Sequence, residues 1–102
     1  INEIFDLITE ALRDTVANQI IDELLAVAKA GEQTSALKLG KTYTDLRVVP
    51  DYQSAYVWLS IAQAYGLESA SGLLSQVADE LTLEEILVQQ EKASTTFAEI
   101  NS

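Results

Sequence analysis

Histidine and cysteine are both missing from this 102-residue chain, and each absence removes a class of chemistry. Without cysteine there is no disulfide and no thiolate nucleophile or metal ligand, and the redox compartment is left open. Without histidine, the commonest metal ligand and the side chain that most often moves protons near neutral pH are gone. Together these absences weigh against an enzyme, although carboxylate and lysine chemistry stay open. Positive charge is scarce as well: six Lys and Arg stand against sixteen Asp and Glu, a formal net charge of −10. A surface of that sign repels phosphate backbones and anionic bilayers, so a nucleic-acid partner and membrane insertion are both disfavoured. Self-repulsion that keeps the chain soluble explains the acidity better than an acidic docking patch does. No run approaches the roughly 20 consecutive apolar residues of a membrane span; the best, residues 20–28, is broken by Asp22 and Glu23. No basic start followed by an apolar run marks a signal peptide. The residues do not choose between a cytoplasmic and a periplasmic setting.

One proline and four glycines leave few breakers, and the apolar positions recur at helical spacing. Ile1, Ile4, Phe5, Ile8 and Leu12 form a first stripe. A second runs through Val16, Ile20, Ile21, Leu24 and Ala28, with Asp14 or Thr15 as its cap and Gly31 as its stop. A third helix is expected over 33–46, with Leu39 and Tyr43 buried, before Pro50 turns the chain. Asp51 caps a fourth over 52–65, which buries Ala55, Trp58, Leu59 and Ala62. A fifth over 68–80 carries Ala70, Leu74, Val77 and Ala78. Thr82 and Glu85 read as a capping box for a last helix that carries Leu83, Ile86, Leu87, Gln90, Ala93, Phe97 and Ile100 on one side. Six helices and no strand signal make an all-α protein, one domain over 1–102.

The chain repeats itself. Shifting Gly31 onto Gly66, 35 residues on, lays Leu24 on Leu59, Ser35 on Ala70, Leu39 on Leu74, Gly40 on Ser75 and Leu46 on Leu81. Small residues at matching places let paired helices approach closely. A period of that size with two helices per unit is the pattern of a helical-hairpin array. Residues 1–30 then form an N-terminal hairpin, 31–66 the best-matching repeat, and 67–102 a C-terminal repeat with its capping helix.

Residues 49–66, V-P-D-Y-Q-S-A-Y-V-W-L-S-I-A-Q-A-Y-G, resemble the Sel1-like repeat family, relatives of the tetratricopeptide repeats. Asp51, Ala55, Trp58, Ala62 and Gly66 fill the family's motif positions in order. Gly31, Leu39, Gly40 and Tyr43 resemble its first helix, and residues 81–85 with Gln89 and Gln90 resemble its terminal helix. The likeness covers about 60 residues; Asp45, Leu46 and Arg47 stand where the family has two glycines, and Ser35 stands where it has alanine. The resemblance implies a short right-handed superhelix of antiparallel helical hairpins, about six helices in all. It also implies a concave face, lined by the first helix of each unit, that holds a protein or peptide partner.

On that face the resemblance and helix geometry point Thr34, Leu37, Lys41, Thr44 and Asp45 at the partner. The 35-residue shift adds Ser69, Gly72, Gln76, Asp79 and Glu80. Lys41, one of six basic residues, is placed to meet a partner carboxylate or Asp45 one turn on. Solvated surface is the plainer reading of the same positions. Trp58, Tyr56 and Tyr65 at helical spacing read as core before they read as an aromatic platform, with Tyr56 pointing elsewhere on its helix. The acidic pairs Asp22-Glu23, Asp79-Glu80 and Glu84-Glu85 diverge by about 100° on a helix, so they do not converge as an acid and base must. No calcium loop, P-loop or nucleophile elbow is present, and no catalytic residue, metal or cofactor is expected. The expected function is a non-catalytic adaptor or scaffold. The alternatives are a self-associating helical structural protein, with a homodimer as its simplest form, and a regulatory segment of a larger enzyme.

Overall fold

The computed structural model describes residues 2–102 and is all-α; Ile1 lies outside the described residues. Among these there are five α-helices: α1 (Asn2–Lys29), α2 (Gln33–Lys41), α3 (Tyr52–Ala64), α4 (Ser69–Ala78) and α5 (Leu83–Ile100). A π turn, Thr42–Leu46, widens the end of α2. The helix expected over 33–46 thus spans those residues but changes pitch at Thr42.

The two helices expected before Gly31 are one. No glycine or proline interrupts residues 2–29, and the candidate caps are used elsewhere. The Thr15 hydroxyl donates back to the Ala11 carbonyl at 2.9 Å. The Asp14 carboxylate accepts from the Val48 amide at 2.9 Å. Arg13 donates to the Leu46 and Asp45 carbonyls at 2.9 and 2.8 Å. Asp14, which could have capped a break, instead ties α1 to the loop behind the π turn, and Arg13 ties it to the π turn itself. The 28 residues give a rod of about 42 Å at about 1.5 Å per residue, which sets the 51 Å long dimension of the molecule.

Local chemistry sets most other helix ends. Gly31 and Gly66 take φ of 101° and 88°, the left-handed backbone that glycine adopts without strain. Their hydrogen bonds correspond at the 35-residue shift. The Gly31 amide donates to Ala28 and the Glu32 amide to Val27, while Gly66 donates to Gln63 and Leu67 to Ala62, all within 2.9–3.2 Å. Asp51 caps α3 through the Ser54 amide at 3.1 Å. Thr82 and Glu85 form the expected reciprocal box, at 3.1 Å and 2.9 Å.

Glu32 caps α2, its carboxylate accepting from the amides of Thr34 and Ser35 and from both hydroxyls. The Ser35 and Thr34 hydroxyls, outweighing a small desolvation, push its pKa from 4.5 down to about 2. A depressed carboxylate stabilises the fold fully above its unfolded pKa and loses that contribution as pH falls through its folded one. Urea titrations from neutral pH down through 4.5 to about 2 should therefore show stability falling across that window. Glu32→Gln should flatten the slope there; an unchanged slope would remove this assignment.

Packing centres on α3, which touches α2, α4, α5 and the π turn. Ala55, Tyr56, Val57, Trp58, Leu59, Ile61 and Ala62 are all buried, as befits a helix covered nearly all round. Trp58, Ile61 and Ala62 join Ile21, Leu39 and Ala93 in one cluster, and Ala55, Tyr56, Leu59 and Val77 form a second under α4. Trp58 is core, as expected, and Tyr65 is half-buried with its ring tilted on Phe97 at 5.2 Å. Tyr56 does not point away: it is buried, its hydroxyl accepting from the Gln90 amide at 3.1 Å.

Two further expectations shift. On α5 the inward face runs through Ile86, Gln89, Ala93 and Phe97, leaving Leu83, Leu87 and Gln90 exposed. Gln89 turns inward because its amide meets Gln53 of α3 at 3.5 Å. The small residues paired by the repeat also part company: Gly40 is buried against α3, whereas Ser75 is exposed.

Candidate functional site

The C-terminal ends of α2 and α4 stand apart over α3 and leave a groove of about 270 Å³. Its floor is apolar, from Gly40 and Leu59 with Leu73 and Val77 on the α4 side; Tyr52 at the start of α3 also lines it. Its walls are polar: Lys41, Thr44 and Asp45 on one side, Gln76 and Glu80 on the other.

Three sequence features build it. Gly40 lets α2 come down onto α3, since a Cβ there would overlap the buried Leu59 side chain. The π turn then widens the backbone, a local irregularity often found at functional positions. Within that turn the Thr44 hydroxyl donates to the Gly40 and Lys41 carbonyls, each at 3.1 Å. Arg13 holds the same segment from outside by binding the Asp45 and Leu46 carbonyls. Leu73, Gln76 and Val77 fall at helical spacing on α4, so one face turns to the groove, and Glu80 follows in the turn just beyond its end.

Five of the ten residues expected to meet a partner line this groove: Lys41, Thr44, Asp45, Gln76 and Glu80. The other five do not. Thr34 sits at the opposite end of α2, engaged with Glu32. Leu37 is half-buried against both core clusters. Ser69 lies in the first turn of α4, beyond the groove's reach, and Gly72 and Asp79 are exposed off the face that lines it. Gly40, Tyr52, Leu59, Leu73 and Val77 were not expected in the site. The apolar i, i+4 pair Leu73–Val77 was the available signal, but such a pair reads equally as core.

One cation, two carboxylates, an amide and two hydroxyls thus ring an apolar floor. Thr44 is spent on the backbone, and the remaining groups offer ionic and hydrogen-bonding contacts. Behind the π turn, Tyr43 is half-buried; burial pushes its phenol above the ordinary value, and the Asp51 carboxylate adds to this. Glu85, outside the groove, is held below the usual range by the Thr82 amide and then by Gln53. Among the described residues no group of three acidic side chains is placed to hold a metal ion. No protein-family model, no curated protein and no solved structure matches this chain.

Proposed function

We propose that this chain is a Sel1-like, non-catalytic interaction module that holds a segment of another protein in the groove between α2 and α4. On this reading α2 and α3 make one hairpin, and α4 and α5 are the helices of the next unit, each packed against α3. Their stacking is a short right-handed superhelix, and the groove is its concave face. The single observation that carries the proposal is the convergence of five repeat-related positions, Lys41, Thr44, Asp45, Gln76 and Glu80, on one groove. The matching turns at Gly31 and Gly66 support the repeat. An open groove of this size suits one apolar side chain of an extended or helical segment. Asp45 and Glu80 then favour a basic residue beside it, and Lys41 an acidic one.

The test is selection from a library of random short peptides. Enriched sequences should carry an apolar residue flanked by a basic one. Lys41→Glu and Gln76→Ala, both at exposed positions, should each weaken those peptides at least about tenfold in calorimetry while leaving the fold intact. Unchanged affinity in both variants, or no enrichment, would remove the groove as the binding site.

A further inference from the structure

The apolar face of α1 changes sides halfway along the rod. From Ala17 onward the residues turned to the domain body are Ala17, Ile21, Leu24, Leu25 and Ala28, all buried or half-buried. At about 100° per residue, the stripe of Ile4, Phe5, Ile8, Leu12 and Val16 lies on nearly the opposite side. These five side chains are between 49 % and 64 % exposed. Because both halves belong to one rigid helix, the body that covers the second face cannot also cover the first.

We propose that this first half of α1, residues 4–16, is a dimerisation surface that pairs antiparallel with the same segment of a second copy of the chain. The amount of surface left open fits. The chain exposes 6409 Å², whereas a folded monomer of 11.1 kDa is expected to expose about 5,700 Å². The excess, about 700 Å², is close to the roughly 800 Å² that one partner of a standard interface buries.

The stripe is also complementary to itself. A two-fold axis at Ile8 sets Ile8 beside the partner's Ile8. On one flank Phe5 meets the partner's Leu12, and on the other Ile4 meets the partner's Ala11, a large residue against a small one. Glu3, Asp6, Glu10, Arg13 and Asp14 lie on the far half of the helix, so no charge enters the contact. Beyond Val16 the same side carries Gln19, Asp22 and Glu23, which ends the contact. Each body sits behind its own α1, so the two bodies do not collide. The acidic polar half argues against an anionic bilayer as the occupant, since surface-lying helices carry lysine and arginine there.

Sedimentation of the full chain over a concentration series should give a species of twice 11.1 kDa with a micromolar dissociation constant. Ile8→Glu places two carboxylates against each other on the axis. It should raise that constant at least about a hundredfold with helical content unchanged, because Ile8 supports nothing in the fold. In a chain without cysteine a single introduced thiol reports its own contacts: Ile8→Cys should cross-link on mild oxidation, and Glu10→Cys, on the far side, should not. A monomer throughout, a dimer that survives Ile8→Glu, or equal cross-linking at both positions each overturns the proposal.

Discussion

Leu59→Ala is expected to destabilise this protein by about 3–5 kcal/mol, the upper part of the range for a fully buried leucine. Leu59 is 1 % exposed, and it packs with Ala55, Tyr56 and Val77 beneath the groove. Its truncation loses the transfer free energy of the deleted atoms and leaves a void. Collapse into that void is limited, because α3 is held on its other sides by α2, α4 and α5. A domain of this size has a total stability of about 5–15 kcal/mol, so the change removes a large share of it. Trp58, the one tryptophan, is buried in the neighbouring cluster and reports unfolding by fluorescence. Urea titration should show a lower midpoint and an unchanged slope. A loss under about 1 kcal/mol would mean that the site collapses freely, contrary to the packing described.

Gly40→Ala is expected to be destabilising although alanine is the better helix former. The added methyl overlaps the Leu59 side chain, which is itself locked in the core. Overpacking of this kind costs about 1–3 kcal/mol, and the gain in helix propensity offsets about 1 kcal/mol of it. A net loss of about 1–2 kcal/mol follows where the overlap stands at the upper end. The two positions should also couple. In the Gly40→Ala, Leu59→Ala double variant the new methyl enters the space that Leu59 vacates. Its cost should therefore fall short of the sum by about 1 kcal/mol or more. Strict additivity in the same urea titrations would show that α2 and α3 do not meet at this pair. Because Gly40 and Leu59 also form the groove floor, both single variants should alter the peptide binding proposed for the groove as well as stability.

The groove was half legible in advance. Lys41 with Thr44 and Asp45 were expected from the family resemblance plus helix geometry, and Gln76 with Glu80 from the 35-residue shift of those positions; all five line one cavity. Thr34 and Ser69 satisfy the same register, yet lie outside the groove, because α2 borders it only over its last turn and α4 only from Leu73 onward. Period tells which residues share a face and says nothing of how far along a helix two faces stay apart. Val77 was placed on the apolar stripe of its helix and Leu73 was not singled out, for a related reason: an apolar residue looks the same whether it is sealed by another helix or left as the floor of a cleft.

Helix ends are the part of this protein that the residues alone determine. Asp51, Thr82 with Glu85, Gly31 and Gly66 act through hydrogen bonds and backbone torsions within a few residues of themselves, so no distant contact is needed to place them. The absence of histidine and cysteine likewise limits the chemistry before any folding. Tertiary structure decided what those local rules leave degenerate. Asp14 and Thr15 were competent to cap a new helix, but Val48, Leu46 and Asp45 of a distant segment drew the Asp14 and Arg13 side chains instead. The rod stayed whole and its first apolar face turned outward. Gly40 and Ser75 are equivalent by repeat, but only Gly40 has a leucine pressed against it. A cap is a choice among a few neighbouring atoms; which face of a helix is buried depends on where other helices stand, and that is fixed only when the core closes around α3.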